Sequence, residues 1–363
     1  MNYLANDQDI QDFFGVSPLM STSIRLTKRC NLRCKHCYAN GGENCQKEFS
    51  LGDVKNILDQ LSALAVSEVF FTGGEPFVRK DIVDILEYAN QLNFNILISS
   101  NGHYVTSQMV EQLKHINFKM FQISIDGGKN SHIQNRGLKS WQDAQKAIDN
   151  IVSGGISNTT IGSVLLRDAV NYDEIISYCH DKGVSWFALM LLIEAGRAKD
   201  MVGPGGKELQ CILDKLFERY DALGNSVEFS SNTTLPPALV PEQMRKRGVH
   251  KKFACCSFPY ILGIEANGDV APCDGFFAFP EMIVGNIYEN SLEDIWSNSP
   301  ILKDLRKITH QDLKGVCAKC KYAEYCGGGC RASAYNKYRD LTMPDPACQQ
   351  YYEEGIFPKD CLK

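Results

Sequence analysis

Residues 22–41 read TSIRLTKRCNLRCKHCYANG. An apolar run, TSIRLT (22–27), leads directly into three cysteines, Cys30, Cys34 and Cys37, spaced C-x3-C-x2-C. Its β-branched content predicts a strand that ends at a thiol-bearing loop. A structural zinc ion takes four ligands, usually as two CxxC-like halves, and the triplet offers three. Disulfides need even numbers and an oxidising compartment. A [4Fe–4S] cluster usually takes four cysteines. Held by three, it keeps one iron open to a substrate or cosubstrate.

Further along, apolar runs alternate with amphipathic segments. The runs are SEVFFTG (67–73), NILISSNG (95–102), MFQISIDG (120–127), TIGSVLL (160–166) and WFALMLL (186–192). Between them lie segments with helical periodicity at 50–65, 80–93, 107–116, 141–154 and 171–183. Ser50 reads as an N-cap with Asp53 completing a capping box, and Gly154 and Gly183 read as helix stops. Six strands alternating with helices predict parallel βα units. In such folds the site forms at the carboxyl ends of the strands. The triplet, TGGEP, SSNG and SIDG all lie at such ends and are expected to meet at one mouth.

After about residue 195 the pattern changes. GPGG (203–206) reads as a loop, 207–223 as a helix and TTLPPALVP (233–241) as a linker. Cysteines return from Cys255 onward. Fifteen cysteines in 363 residues, an odd number clustered at metal-ligand spacings, fit reduced thiolates better than a disulfide framework. The N-terminal MNYLANDQDIQDFFG lacks the charged and apolar regions of a signal peptide. No run of about twenty apolar residues predicts a membrane span. The net charge of −5 gives no general attraction to nucleic acid or to an anionic membrane. A cytoplasmic enzyme acting on neither is expected.

CNLRCKHCY followed by TGGEPFVR resembles the radical S-adenosylmethionine (SAM) superfamily, and SIDG…HIQNRG resembles the middle of its core, over roughly residues 22 to 195. The resemblance implies a partial (β/α)6 TIM-like barrel. It also implies a cluster on Cys30, Cys34 and Cys37 whose open iron chelates SAM. Reductive cleavage of SAM then gives a 5′-deoxyadenosyl radical that abstracts a substrate hydrogen. It places Gly73, Gly74, Glu75 and Pro76 around the SAM amino group, Ser124, Asp126 and Arg136 near its carboxylate and ribose, and Tyr38 by the adenine. The local chemistry agrees, because glycines admit close main-chain approach and a carboxylate accepts from an ammonium. Arg197, after the sixth strand, is expected to meet a carboxylate of substrate or SAM, or to form an ion pair.

The C-terminal CAKCKYAEYCGGGC (317–330), with Cys348 and the upstream CCSFPYILGIEANGDVAPCDG (255–275), resembles the SPASM extension of radical SAM enzymes. That likeness implies two auxiliary [4Fe–4S] clusters, three in all. Cys317, Cys320, Cys326 and Cys348 would hold one. Cys273 and Cys330 would hold the other, with Cys256 or Cys255; the spacing to Gly268 favours Cys256. Cys255 is then a hydrogen-atom donor or a small buried residue. Asp274 matches an aspartate that acts as base in the sulfatase-maturating members. The expected divisions are an extension (1–21), the core barrel (22–200), a bridging helix and linker (201–250) and the auxiliary-cluster domain (251–363).

Extra clusters suit a substrate radical that must lose an electron. The favoured substrate is a ribosomally made peptide, undergoing crosslinking, thioether formation, dehydrogenation or epimerisation. Heme or heme d1 side-chain maturation and amino-sugar oxidation or epimerisation are the alternatives, and an iron–sulfur or zinc scaffold is the non-enzymatic one. Expected partners are a reductant such as flavodoxin or ferredoxin, and a separate leader-peptide-binding protein, since 29 residues before Cys30 are too few for such a domain.

Overall fold

The TSIRLT run forms β1 (Ser21–Arg25), and its neighbours on both sides explain the site. The computed structural model describes residues 18–43, 47–167, 171–224, 226–230, 233–252 and 260–363. The expectations for Cys255 and Cys256 lie outside these residues. After β1 come α1 (Leu51–Ala63), β2 (Glu68–Thr72), α2 (Ile82–Gln91), β3 (Asn95–Ser100), α3 (Ser107–Leu113) and β4 (Phe118–Ser124). Then follow α4 (Lys129–Arg136), α5 (Ser140–Ser153), β5 (Thr159–Leu165), α6 (Tyr172–Asp181) and β6 (Trp186–Leu191). Strands β1 to β6 pair in sequence order, all parallel, as the partial (β/α)6 barrel requires.

Local chemistry sets the helix ends. Ser50 accepts from the Asp53 N–H while the Asp53 carboxylate accepts from the Ser50 N–H, the capping box read from sequence. Gly183 takes the left-handed conformation (φ 68°) after α6, whereas Gly154 stays in the helical region and Gly155 (φ 75°) makes the turn. Helix α4 takes in all but the last residue of the stretch HIQNRG and is one element more than the periodicity gave. Its mean composition is polar, so no apolar stripe marked it.

Helix faces such as Val54, Ile57, Leu58 and Leu61 of α1 bury against the outer face of the sheet, where Ile24 also points. The opposite face of β1 carries Ser23 and Arg25, so the inner face of this strand is polar.

Among the described residues the chain beyond the barrel forms no separate sheet. β7 (Glu228–Phe229), in the stretch expected as a bridge, pairs with β6. β8 (Ile261–Ile264) pairs in parallel with the free edge of β1, with Ile24 opposite Ile264. Antiparallel β9 (Asp269–Ala271) and β10 (Gly285–Asn286) extend it, giving one ten-stranded sheet. This edge-on junction brings Asp274 and Cys273 to the barrel mouth.

Candidate active site

The β1–β2 ladder continues past both strands. The N–H of Leu26 donates to Thr72 O (2.9 Å), that of Gly74 to Thr27 O (2.7 Å) and that of Glu75 to Arg29 O (2.9 Å). The GGE backbone therefore runs against the chain that delivers Cys30. Gly73 sits at φ 141°, and a β-carbon there would lie 2.5 Å from Thr27 O. One on Gly74 would fall on Arg29 O and 2.6 Å from Lys28 O. Only glycine permits this approach.

The three thiols share the loop that follows. Cys30 Sγ accepts from Leu32 N–H (3.4 Å) and Cys37 Sγ from Gly41 N–H (3.3 Å). Asn101, from the SSNG motif, ties this loop to Glu75. Its side-chain amide donates to Asn31 Oδ1 (2.9 Å) and lies 3.8 Å from Cys30 Sγ. Its N–H donates to Glu75 Oε2 (2.8 Å). Glu75 Oε1 also accepts from Phe77 N–H (3.1 Å) and Ser100 Oγ (2.9 Å). Glu75 is 1% exposed, and burial pushes its carboxyl up to about 7 despite these three donors.

On the other side of the loop, Asp126 at the end of β4 is fully buried. It accepts from Arg136 Nε (2.5 Å) and Nη2 (3.1 Å) and from Val164 N–H (3.1 Å), and it lies 3.1 Å from His36 Nε2. Burial alone would raise Asp126, but Arg136 and His36 hold it well below the usual carboxylate range. Arg136 also faces the thiols of Cys34 and Cys37. Ser124 ends β4 on the same rim. Among the described residues Arg197 pairs with carbonyls rather than a carboxylate. Its Nε donates to Cys34 O (2.9 Å), its Nη1 to Gly41 O (2.9 Å) and its N–H to Cys37 O (3.0 Å). A guanidinium spends its fixed donor fork on carbonyls of the cysteine loop and so shapes it.

Tyr38 faces away from that rim, toward the β1–β8 junction. Its hydroxyl lies 3.4 Å from Asp274 Oδ2, and Ser23 Oγ donates to Asp274 Oδ1. Arg25, 3% exposed, lies over the rings of Tyr38 (5.0 Å) and Phe277 (4.7 Å). It pairs with Glu265 (2.8 Å) and donates to Asp274 O (2.9 Å). Burial alone would lower Arg25; Asp274, Tyr38 and Glu265 together keep it above its ordinary value.

Cys317, Cys320, Cys326 and Cys348 are all buried and line one small pocket with Val316, Phe357 and other mainly apolar residues. Burial pushes the Cys317 thiol up to about 12 and raises Cys320 and Cys348 as well. Cys330 caps the helix Arg331–Tyr338, its Sγ accepting from Ser333 N–H (3.4 Å). Gly275 packs on Ala332 of that helix, with Cys273 Sγ alongside, so Cys273 lies near the helix start that Cys330 caps.

The sequence matches the model of the radical SAM superfamily over residues 24–185, and that of SPASM, an iron–sulfur cluster-binding domain, over residues 255–321. The chain belongs to the radical SAM superfamily. Mycofactocin maturase MftC of Mycolicibacterium smegmatis is 27% identical over 358 residues, which cover 96% of this chain and 87% of that protein. The AdoMet-dependent heme synthase of Nitratidesulfovibrio vulgaris is 26% identical over 342 residues, 89% of this chain and 90% of that protein. Streptococcus suis SuiB bound to S-adenosylmethionine has the same fold (TM-score 0.72, 18% identity, 94% of this chain and 80% of that one).

As a radical SAM protein with a SPASM domain, it binds iron–sulfur clusters and SAM. The donor chemistry fits. Burial pushes the Cys30 thiol up to about 11 and raises Cys34, so these thiols ionise against a cation rather than in the empty protein. Among the described residues no three Cys, His, Asp or Glu side chains converge on a single metal ion. A cluster with one thiolate per iron does not need them to.

Three members of the mouth went unnamed in the sequence. His36 lies inside the triplet, and its position between Cys34 and Cys37 was the available signal. Arg25 and Glu265 are opposite charges inside apolar runs, TSIRLT and YILGIEANG. A buried charge in a strand asks for a partner, but only the β1–β8 pairing says which.

Proposed function

We propose that this radical SAM/SPASM chain cleaves SAM reductively and removes hydrogen from a C–H bond of a ribosomally made peptide. The observation that carries the oxidative reading is the meeting of Tyr38, one residue after Cys37, with Asp274, one residue after Cys273. The loop assigned to the SAM cluster and the loop assigned to an auxiliary cluster thus share one polar corner of the mouth. Cys30, Cys34 and Cys37 hold the SAM cluster. Cys317, Cys320, Cys326 and Cys348 hold one auxiliary cluster, and Cys273 and Cys330 with Cys256 hold the other. When bound and reduced, the first would supply the electron for reductive cleavage of SAM, and the auxiliary pair would accept the electron the substrate gives up.

The protein's own residues do the rest. Glu75, with its hydrogen-bond donors set in place, receives the SAM ammonium. The Asp126–Arg136 pair fixes the rim beside Cys34. Asp274 takes the proton from the substrate as its electron leaves, and Ser23, Tyr38 and Arg25 keep it turned into the mouth. A peptide substrate is supported by the likeness to a mycofactocin maturase along nearly the whole chain. The heme synthase relative supports tetrapyrrole side-chain chemistry as the second reading. A low-potential carrier such as flavodoxin or ferredoxin reduces the enzyme, and a separate protein presents the leader peptide. Among the described residues no helix is long and apolar enough to cross a membrane, and cytoplasmic thiols are the natural setting.

The test is anaerobic turnover of the reconstituted enzyme with SAM and the short peptide encoded beside its gene, with the peptide weighed in light and heavy water. Loss of two hydrogens is expected. Gain of one solvent deuterium with no other change would replace oxidation by epimerisation, with a thiol such as Cys255 as donor. Deoxyadenosine without any peptide change would shift the assignment to a tetrapyrrole. Cys320→Ala is expected to retain SAM cleavage while product falls by at least about tenfold, because substrate oxidation loses its acceptor. An unchanged ratio of product to deoxyadenosine would remove the electron-acceptor role.

A further inference from the structure

The sequence holds a basic run the mouth does not use, RKRGVHKK at 245–252. Two other lysine-bearing segments accompany it in space, 314–325 and 359–363. Together the three contain ten lysines and arginines against two acidic residues, Glu324 and Asp360, in a chain whose net charge is −5; Lys246, Arg247 and Lys314 pair with Glu242, Asp221 and Asp340 outside the segments, which leaves the lysines nearest Cys320 as the excess.

They converge around Cys320. The backbone of Cys320 bridges to Leu362, Lys321 N–H donates to Cys361 O (2.9 Å) and Lys363 N–H donates to Lys319 O (2.8 Å). The 245–252 segment is tied in by Arg245 to Asp360 (2.6 Å) and by Tyr325 Oη to Lys251 O (3.2 Å). The ring of His250 also lies 5.1 Å from that of Tyr322. Cys320 is buried, but its two neighbours in the chain, Lys319 and Lys321, are exposed, as are Lys251, Lys359 and Lys363. Asp360 is shared between Arg245 and Lys321 (3.9 Å), so it does not neutralise the group.

Crowded like charges repel one another and oppose folding. A surface that keeps them directly above a redox-active ligand suits an anionic partner, and complementary charge speeds and orients such encounters. We propose that this lysine collar is the docking surface for an acidic one-electron carrier protein of the flavodoxin class, which in its oxidised form takes the electron delivered to the cluster held by Cys320. The inference rests on the auxiliary-cluster reading above. One electron leaves the reduced cluster and one enters the carrier's flavin. A second basic group, Lys28, Arg29, Arg33 and Lys35, flanks the triplet.

The experiment uses the cluster-loaded protein and purified oxidised flavodoxin. Affinity is measured against ionic strength, and contact lysines are mapped by zero-length carbodiimide crosslinking. The variant is Lys319→Glu/Lys321→Glu/Lys363→Glu, with Lys28→Glu/Lys35→Glu as the comparison. The collar variant is expected to lose affinity by at least about tenfold at low salt and to flatten the salt dependence. Crosslinks to collar lysines disappear, while dithionite-driven SAM cleavage and thermal unfolding stay as in the parent. Undiminished affinity, or crosslinks confined to Lys28 and Lys35, would overturn the proposal. So would an RNA hairpin that binds the collar as tightly as flavodoxin does. If the collar variant loses flavodoxin while Cys320→Ala still gives full product, docking stands and the acceptor role of that cluster falls.

Discussion

Cys34→Ala is expected to abolish SAM cleavage, with deoxyadenosine formation falling by more than about 100-fold. Even neighbours that only orient a metal ligand cost about 10–100-fold when removed. Cys34 is the most buried thiol of the triplet, at 9% exposure, and Arg136 and Arg197 both act on its charge. Alanine leaves two thiols and two guanidinium groups arranged around a gap. The apoprotein itself loses little, because a neutral buried thiol behaves as a small hydrophobe. The variant is therefore expected to fold, with near-parental thermal unfolding of the unloaded protein, and to bind fewer irons after reconstitution. Full cleavage with unchanged iron content would sink the assignment of the triplet.

Gly74→Ala acts through the backbone instead. Its β-carbon would fall on the carbonyl oxygen of Arg29 and lie 2.6 Å from that of Lys28. Both are main-chain atoms, held by the bonds from Gly74 to Thr27 and from Glu75 to Arg29. Relief requires the GGEP chain to move off the cysteine loop, at a cost on the order of 3 kcal/mol. The same movement carries Glu75 away from Asn101. Thermal unfolding is expected to drop by several degrees, and SAM affinity to fall by at least about tenfold, with the three cysteines untouched. An alanine variant with parental stability and parental SAM affinity would mean that the close approach of these two segments does not build the pocket.

The two substitutions fail for different reasons, and those reasons mark what was legible. Ligand sets held on short loops are readable from spacing, because residues three and four apart in a loop have little choice but to be neighbours. The strands and most helices were readable from periodicity, and the capping box at Ser50 from two residue types. Helix α4 escaped because its surface is polar on all sides. The contacts of Arg197 and Tyr38 within the protein were also not legible. Arg197 sits 160 residues from the loop whose carbonyls it gathers. Tyr38 follows Cys37 directly, but its hydroxyl is directed toward Asp274 by a strand from the other end of the chain.

The sequence by itself determined the parallel βα order, the three-thiol loop, the glycines that must pass beside it and the four-thiol set at 317–348. Each depends on contacts within one or two adjacent βα units, or on cysteines spaced closely along the chain. Only the tertiary structure decided that β8 adds to the open edge of β1. That single pairing sets Glu265 beside Arg25, Asp274 against Ser23 and Tyr38, and Cys273 at the barrel mouth. In the same way, three lysine segments spread over more than a hundred residues become one collar only when the chain end pairs with Cys320. Strand edges carry no local signal of their partner, since every edge offers the same row of N–H and C=O groups. What selects the partner is the packing of the whole sheet.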